Sequence, residues 1–250
     1  MTNYGFWQVP TEPGRSEYMK LLEHIALLSA LDWAAAGLIA VGWFVIGWMI
    51  EHPGAKRPSV TVLMSERRRD WMKVFVTREP RIFDSQILGG LRQGTAFFAS
   101  TSLLAIGGVL ALVGNTDPLR GVAAEVTTTP VPVVVWQLKL GLVALFLTNA
   151  FLKFVWANRV FGYCAVLMAA VPNNPKDPKS YPRAAQAAEL NIRAAVNFNR
   201  GLRSMYFALA ASAWLVGAIG LIVSTVLVIW LVWSREFASI PRQILLEEEP

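Results

Sequence analysis

The side chains able to do chemistry are few in this chain, and they stand far apart. Its two histidines, His24 and His52, would lie about 42 Å apart on one helix, too far to share a haem or a metal ion. The single cysteine, Cys164, can neither close an intrachain disulfide nor build a zinc or iron–sulfur site. There is no phosphate-cradling G-x-x-x-x-G-K-[ST] loop, no H-E-x-x-H helix and no G-x-S-x-G turn. Glu51-His52 could supply a base, but an exposed helix end explains the pair as well. No nucleophile, base and oxyanion donor fall together, so we expect no catalytic residue, no metal ligand and no cofactor. What remains is charge and amide set among apolar residues: Asp32, Lys139, Asn149 and Lys153.

The elements that must position them follow from composition. Of 250 residues, 54% are hydrophobic and only 16% charged, which excludes a disordered chain and argues against a soluble cytosolic enzyme. A bilayer-spanning helix needs roughly 20 mostly apolar residues. Trp33 to Ile50 is charge-free, and the run reaches back to Ile25 with Asp32 as its one interruption. Thr95–Gly114 is uncharged, Val133–Leu152 holds one lysine, and Phe207–Trp233 is an uncharged stretch of 27 residues. Within hydrocarbon each backbone group must pair inside its own segment, so these runs become helices. The expected fold is all-α and integral to the membrane, one domain over 1–250, with spans near 26–50, 95–114, 133–156 and 207–233.

Lysine and arginine set the orientation. They crowd the segments 51–94 and 157–206, whereas only Arg120 lies between the second and third spans. The positive-inside rule places the two long loops in the cytoplasm and, with four passes, both termini in the periplasm of a bacterial inner membrane. The first 24 residues lack the pattern of a cleavable signal. Tyr4, Phe6 and Trp7 suit the outer headgroup level, and Ser16 suits a helix cap. The net charge of +6 fits loops held against anionic headgroups better than a nucleic-acid surface.

Within the first loop, Ser65–Thr77 carries Arg67, Arg68, Arg69 and Lys73 beside Trp71, Met72, Val74 and Phe75. That pattern predicts a basic amphipathic helix in the headgroup plane, ended by Pro80, with Gly89-Gly90 loosening the approach to the second span. In the second loop, Phe154–Val171 extends the third span to a proline-rich turn, and Ala184–Phe198 reads as a helix leading back. Such a hairpin either packs on the first loop or docks a partner.

Asp32 lies about seven residues into the first span and Lys139 six into the third, so both sit roughly 10 Å below the outer surface. Equal depth predicts an Asp32–Lys139 ion pair; the alternative is a snorkelling lysine and an aspartate that caps its helix. Lys139, Asn149 and Lys153 share an arc of about 80° on the third span. This stripe binds lipid headgroups, faces polar groups such as Ser100, Thr101, Ser102 and Ser212, or lines a conduit in an oligomer. Ala213 and Gly217 form a small-xxx-small pair for close helix approach.

Several stretches together resemble an uncharacterised membrane-protein family of bacteria and plants, domain-of-unknown-function family 599. They are Arg68-Arg69-Asp70-Trp71-Met72, the run Gly94 to Ser102, and Phe154-Val155-Trp156 with Arg159, Phe161, Tyr163 and Cys164. Further matches are Phe198-Asn199-Arg200-Gly201-Leu202-Arg203 with Tyr206-Phe207-Ala208, and Arg235-Glu236-Phe237. The resemblance covers about Ile50 to Phe237 and implies a several-span membrane protein without an established activity. Arg67, Arg68, Arg69, Trp71, Arg200 and Arg203 are the expected contacts to lipid phosphates or a protein partner, since a guanidinium can bind either in two-pronged fashion. The leading expectation is a non-catalytic accessory or scaffolding protein that associates with itself or a larger complex. An oligomeric channel or small-solute transporter is the alternative.

Overall fold

The computed structural model describes residues 28–54, 56–115 and 132–247, and among them the fold is helical with no strand. Seven α-helices follow in order: α1 (Ala30–Glu51), α2 (Val60–Thr77), α3 (Ile82–Gly114), α4 (Val133–Ala169), α5 (Ser180–Ser212), α6 (Ala218–Phe237) and α7 (Ile240–Leu246). Four are long and apolar enough to cross a bilayer: α1, α3, α4, and α6 with its continuation to Leu246. The N-terminal segment with Tyr4, Phe6, Trp7, Ser16 and His24, and the connector with Arg120, lie outside the described residues.

Local chemistry sets the helix ends. Ser29 caps α1 through a capping box in which its hydroxyl accepts from the Asp32 amide and Asp32 accepts from the Ser29 amide. Ser59 caps α2, and its hydroxyl also donates to the Ile50 carbonyl at 2.7 Å, tying α2 to the end of α1. Arg81 donates to the Val171 and Pro172 carbonyls and Arg183 to that of Ala170, so two guanidiniums satisfy the C-terminal end of α4.

α3 and α4, at about 50 and 55 Å, outrun a hydrocarbon layer of roughly 30 Å. Their overhang joins α2 and the first half of α5 in a second core of Met72, Phe75, Leu88, Phe161, Cys164, Ala187 and neighbours. The other core lies among α1, α4, α5 and α6, around Ile39, Ile46, Phe146, Phe207, Trp214 and Leu221. α2 buries Met72, Phe75 and Val76 on protein, while Val74 stays exposed. Gly89-Gly90 does not interrupt α3. Each internal glycine costs only about 1 kcal/mol, which a long helix with packed neighbours absorbs.

The fourth expected span needs a larger correction. Phe207–Trp233 is two helices: α5 ends at Ser212, a 3₁₀ turn covers Ala213–Leu215, and Gly217 reverses the chain at φ 140°. A side chain is disfavoured at that φ, so glycine permits the turn. Gly220 lets α6 pack against it, since a Cβ there would meet the Ala213 carbonyl oxygen at 2.7 Å. The Ser224 hydroxyl donates to the Ala210 carbonyl across the hairpin. Ala213 and Gly217 thus build a reversal and are not two points on one helix face.

Two contacts fix direction. Trp214, beyond α5, reaches Asp32 at the start of α1, whereas Arg200 and Arg203 reach Glu51 at its end. The second half of α5 therefore runs back alongside α1, packed among α1, α4 and α6. α6 returns to the Glu51 end, where Glu236 binds Thr61 and Arg242 of α7 donates to the Pro58 carbonyl. The start of α1 and the carboxyl-terminal α7 consequently lie at opposite ends of the bundle.

Candidate functional site

The densest charged cluster sits where α1 ends. Glu51 closes α1, and Arg200 and Arg203, three residues apart on α5, project on one face towards it. Arg200 Nε donates to Oε1 at 2.9 Å and its Nη2 to Oε2, a two-pronged grip; Arg203 Nη2 donates to Oε1 at 2.5 Å. The Arg203 side chain is 9% exposed and that of Arg200 42%, so Arg203 depends on the carboxylate far more. The Glu51 hydrogen bond holds Arg200 above the usual arginine pKa, while burial pulls Arg203 down.

α4 supplies the facing wall. Asn149 Nδ2 donates to the Ser204 hydroxyl at 2.6 Å, locking α4 to α5. One turn on, Lys153 makes no ion pair or hydrogen bond among the described residues, and it lines the cleft with Asn149, Glu51, His52 and both arginines. The cleft holds about 290 Å³ and is edged by Trp43, Phe44 and Trp48 of α1. The polar stripe expected on the third span is thus half structural, through Asn149, and half free, through Lys153.

Beside the cleft, Phe98, Phe154 and Phe198 join α3, α4 and α5 with ring centroids 5.5–5.6 Å apart. Gly201 lies against Phe154, where a Cβ would stand 2.6 Å from the ring. Glu236 accepts from the Thr61 amide and hydroxyl at 3.0 and 2.9 Å, capping α2 from α6.

At the opposite end, Asp32 and Lys139 do not meet directly. Asp32 Oδ1 accepts from Trp214 Nε1 at 2.7 Å, and Lys139 Nζ lies 5.9 Å from the Trp214 ring centroid and 5.6 Å from that of Trp136. The two charges act on each other electrostatically with Trp214 between them. Equal depth was legible in the sequence; the indole that takes the carboxylate's hydrogen bond was not.

The basic residues of α2 are engaged within the chain. Arg68 donates to Asn191, a fully buried amide of α5, whose Nδ2 lies 3.7 Å from Cys164 Sγ. Arg69 pairs with Glu66 at 2.5 Å and Glu189 at 2.8 Å, and the Glu189 hydrogen bond holds it above its ordinary pKa. Arg67, half exposed, stands 3.8 Å from Asp70. Trp71 Nε1 and Arg78 Nη1 both donate to Oδ1 of buried Asp84, at 2.6 and 2.5 Å. Thr101 and Ser102 bond back to carbonyls of their own helix. Asp84 and Asn191 escaped the sequence reading, while Glu51 was read only as a possible base and Glu236 only within a family-like run, not as partners of the arginines and Thr61. An acid closing a charge-free run, matched by an Arg-x-x-Arg pair elsewhere, was the signal for Glu51.

Apolar helices of spanning length, with polar groups tied to one another between them, define a multi-pass α-helical membrane protein. The chain belongs to the family described as protein of unknown function, DUF599, whose model matches residues 34–241. No curated protein and no solved structure matches the chain.

Proposed function

We propose that the protein is a non-catalytic accessory or scaffolding component of a bacterial inner membrane, packing laterally with itself or within a larger complex. The observation that carries this reading is the uncovered face of α4. Leu138, Leu145, Leu152, Trp156, Tyr163 and Val166 recur at intervals of three, four or seven residues and stay exposed. Leu145 is 68% exposed and Val166 69%, and over about 20 Å beyond Lys153 the face still carries exposed Trp156, Tyr163 and Val166, with Arg159 among them bonded to the Tyr163 hydroxyl. Lipid contact accounts for the first half of the stripe. Its continuation beyond the charged cluster, at heptad-like spacing, suits a partner helix.

The concentration of lysine and arginine at the Glu51 end supports a cytoplasmic position for that end. The back-bonded hydroxyls of Thr101 and Ser102 and the Asn149–Ser204 bond support packing over conduction, since these groups are used within the bundle. Native mass spectrometry from mild detergent tests the reading. We expect a stable oligomer or a stoichiometric partner that Val166→Arg removes without changing helical content. A monomer without a partner, in wild type and variant alike, would refute it.

A further inference from the structure

We propose that the cleft between α1, α4 and α5 binds the phosphate group of an anionic membrane lipid, with Lys153 as its free anchor. Three cations, Lys153, Arg200 and Arg203, line the cleft against one carboxylate, Glu51. Their sum is two positive charges in the cleft wall. Both Glu51 oxygens already accept from the arginines, so the carboxylate leaves Lys153 unanswered. Glu236 also acts on Arg203, but its oxygens are held by Thr61 and it is not part of the wall.

Arg200, 42% exposed, keeps donor capacity facing the cleft, because a guanidinium has five N–H groups and Glu51 takes two. Lys153 adds three rotatable donors. A phosphate oxygen between them would receive charge-assisted hydrogen bonds from two sides. Depth and lining select the carrier. The cluster lies at the end of a charge-free span, where headgroups sit, and Phe44 and Trp48 at its edge are exposed and suited to an acyl chain.

The test is native mass spectrometry of the full-length protein titrated with phosphatidylglycerol, phosphatidylcholine or inorganic phosphate. We expect retention of phosphatidylglycerol over phosphatidylcholine, weakened about tenfold in Lys153→Gln, the scale of one lost charge-assisted bond. Lys73→Gln, removing an exposed lysine of α2, should bind as wild type. Lys153 has no ion pair or hydrogen bond to lose among the described residues, so its variant should keep the wild-type melting temperature and separate binding from folding. Inorganic phosphate binding alone, with no lipid preference, would reassign the site to a soluble anion and overturn the lipid proposal. Equal phosphatidylglycerol affinity in wild type and Lys153→Gln would remove the cleft as the site. Lipid occupancy is read apart from subunit stoichiometry, so this inference and lateral assembly fail independently.

Discussion

Arg203 and Glu51, separated by 152 residues in sequence, meet at the foot of the bundle through a 2.5 Å hydrogen bond that leaves Arg203 9% exposed. The contact fixes α5 against the end of α1 and gives the chain its depth register. Replacing Glu51 by Gln keeps shape and removes charge, stranding a buried guanidinium. Breaking a buried pair in this way costs about 3 kcal/mol. Arg200→Ala should cost about 1 kcal/mol or less, because that side chain is partly solvated. Thermal unfolding in detergent should therefore rank wild type, Arg200→Ala and Glu51→Gln in falling order. The opposite ranking of the two variants would show that Arg200 is the principal partner.

The reversal at Gly217 makes a separate prediction. Gly217→Ala forces a side chain into φ 140° and should destabilise by about 1–3 kcal/mol. Gly220→Ala pushes a methyl towards the Ala213 carbonyl, with only backbone there to yield. Gly37 has nothing within 4 Å of an added Cβ, so Gly37→Ala should be neutral or gain up to about 1 kcal/mol. Melting temperatures of the three variants check the contrast. Equal values for Gly217→Ala and Gly37→Ala would mean that the turn tolerates another backbone path.

These two sites also mark what the sequence could and could not convey. The apolar lengths of α1, of α3 beyond Thr95 and of the first part of α4 are properties of contiguous residues, and they are legible one segment at a time. The Phe154 extension and its proline-rich turn are local in the same sense. The run from Phe207 to Trp233 is apolar on both sides of Gly217, and hydropathy carries no sign for chain direction, so a hairpin and a long helix look alike. α5 was legible in part, as the helix Ala184–Phe198; its continuation to Ser212 carries Gly201, Arg203 and Ser204, which are buried against other helices and give no apolar run to read. The partners of Arg69 and Arg200 across the fold were hidden because Arg69–Glu189 and Arg200–Glu51 each span 120 residues or more.

The hairpin makes sidedness testable. Lys73 in α2 and Ile244 in α7 should lie on one side of the membrane and Val216, at the reversal, on the other. All three are exposed, and the native Cys164 is buried, so single introduced cysteines can be labelled with little background. An impermeant maleimide on intact cells should modify Val216→Cys, and Lys73→Cys and Ile244→Cys only after permeabilisation. Modification of Ile244→Cys in intact cells would restore a carboxyl end outside.

The last prediction concerns how α2 is held. Asp84 is fully buried, and Trp71 and Arg78 both donate to its Oδ1, while Oδ2 accepts no hydrogen bond among the described residues. Removing the Arg78 charge leaves a buried carboxylate with one indole donor, so Arg78→Gln should destabilise by about 3 kcal/mol. Trp71→Phe removes one hydrogen bond and keeps the counter-charge, a loss of about 1–2 kcal/mol. By contrast, the Arg69–Glu189 pair is 39% and 51% exposed, and a double-mutant cycle on it should return less than about 1 kcal/mol. Denaturant or thermal unfolding followed by the fluorescence of Trp71 and its neighbours reads the first and third, and circular dichroism reads the second. If Arg69 and Glu189 coupled more strongly than Arg78 and Asp84, α2 would be held by its solvated face, and the buried carboxylate would have another role.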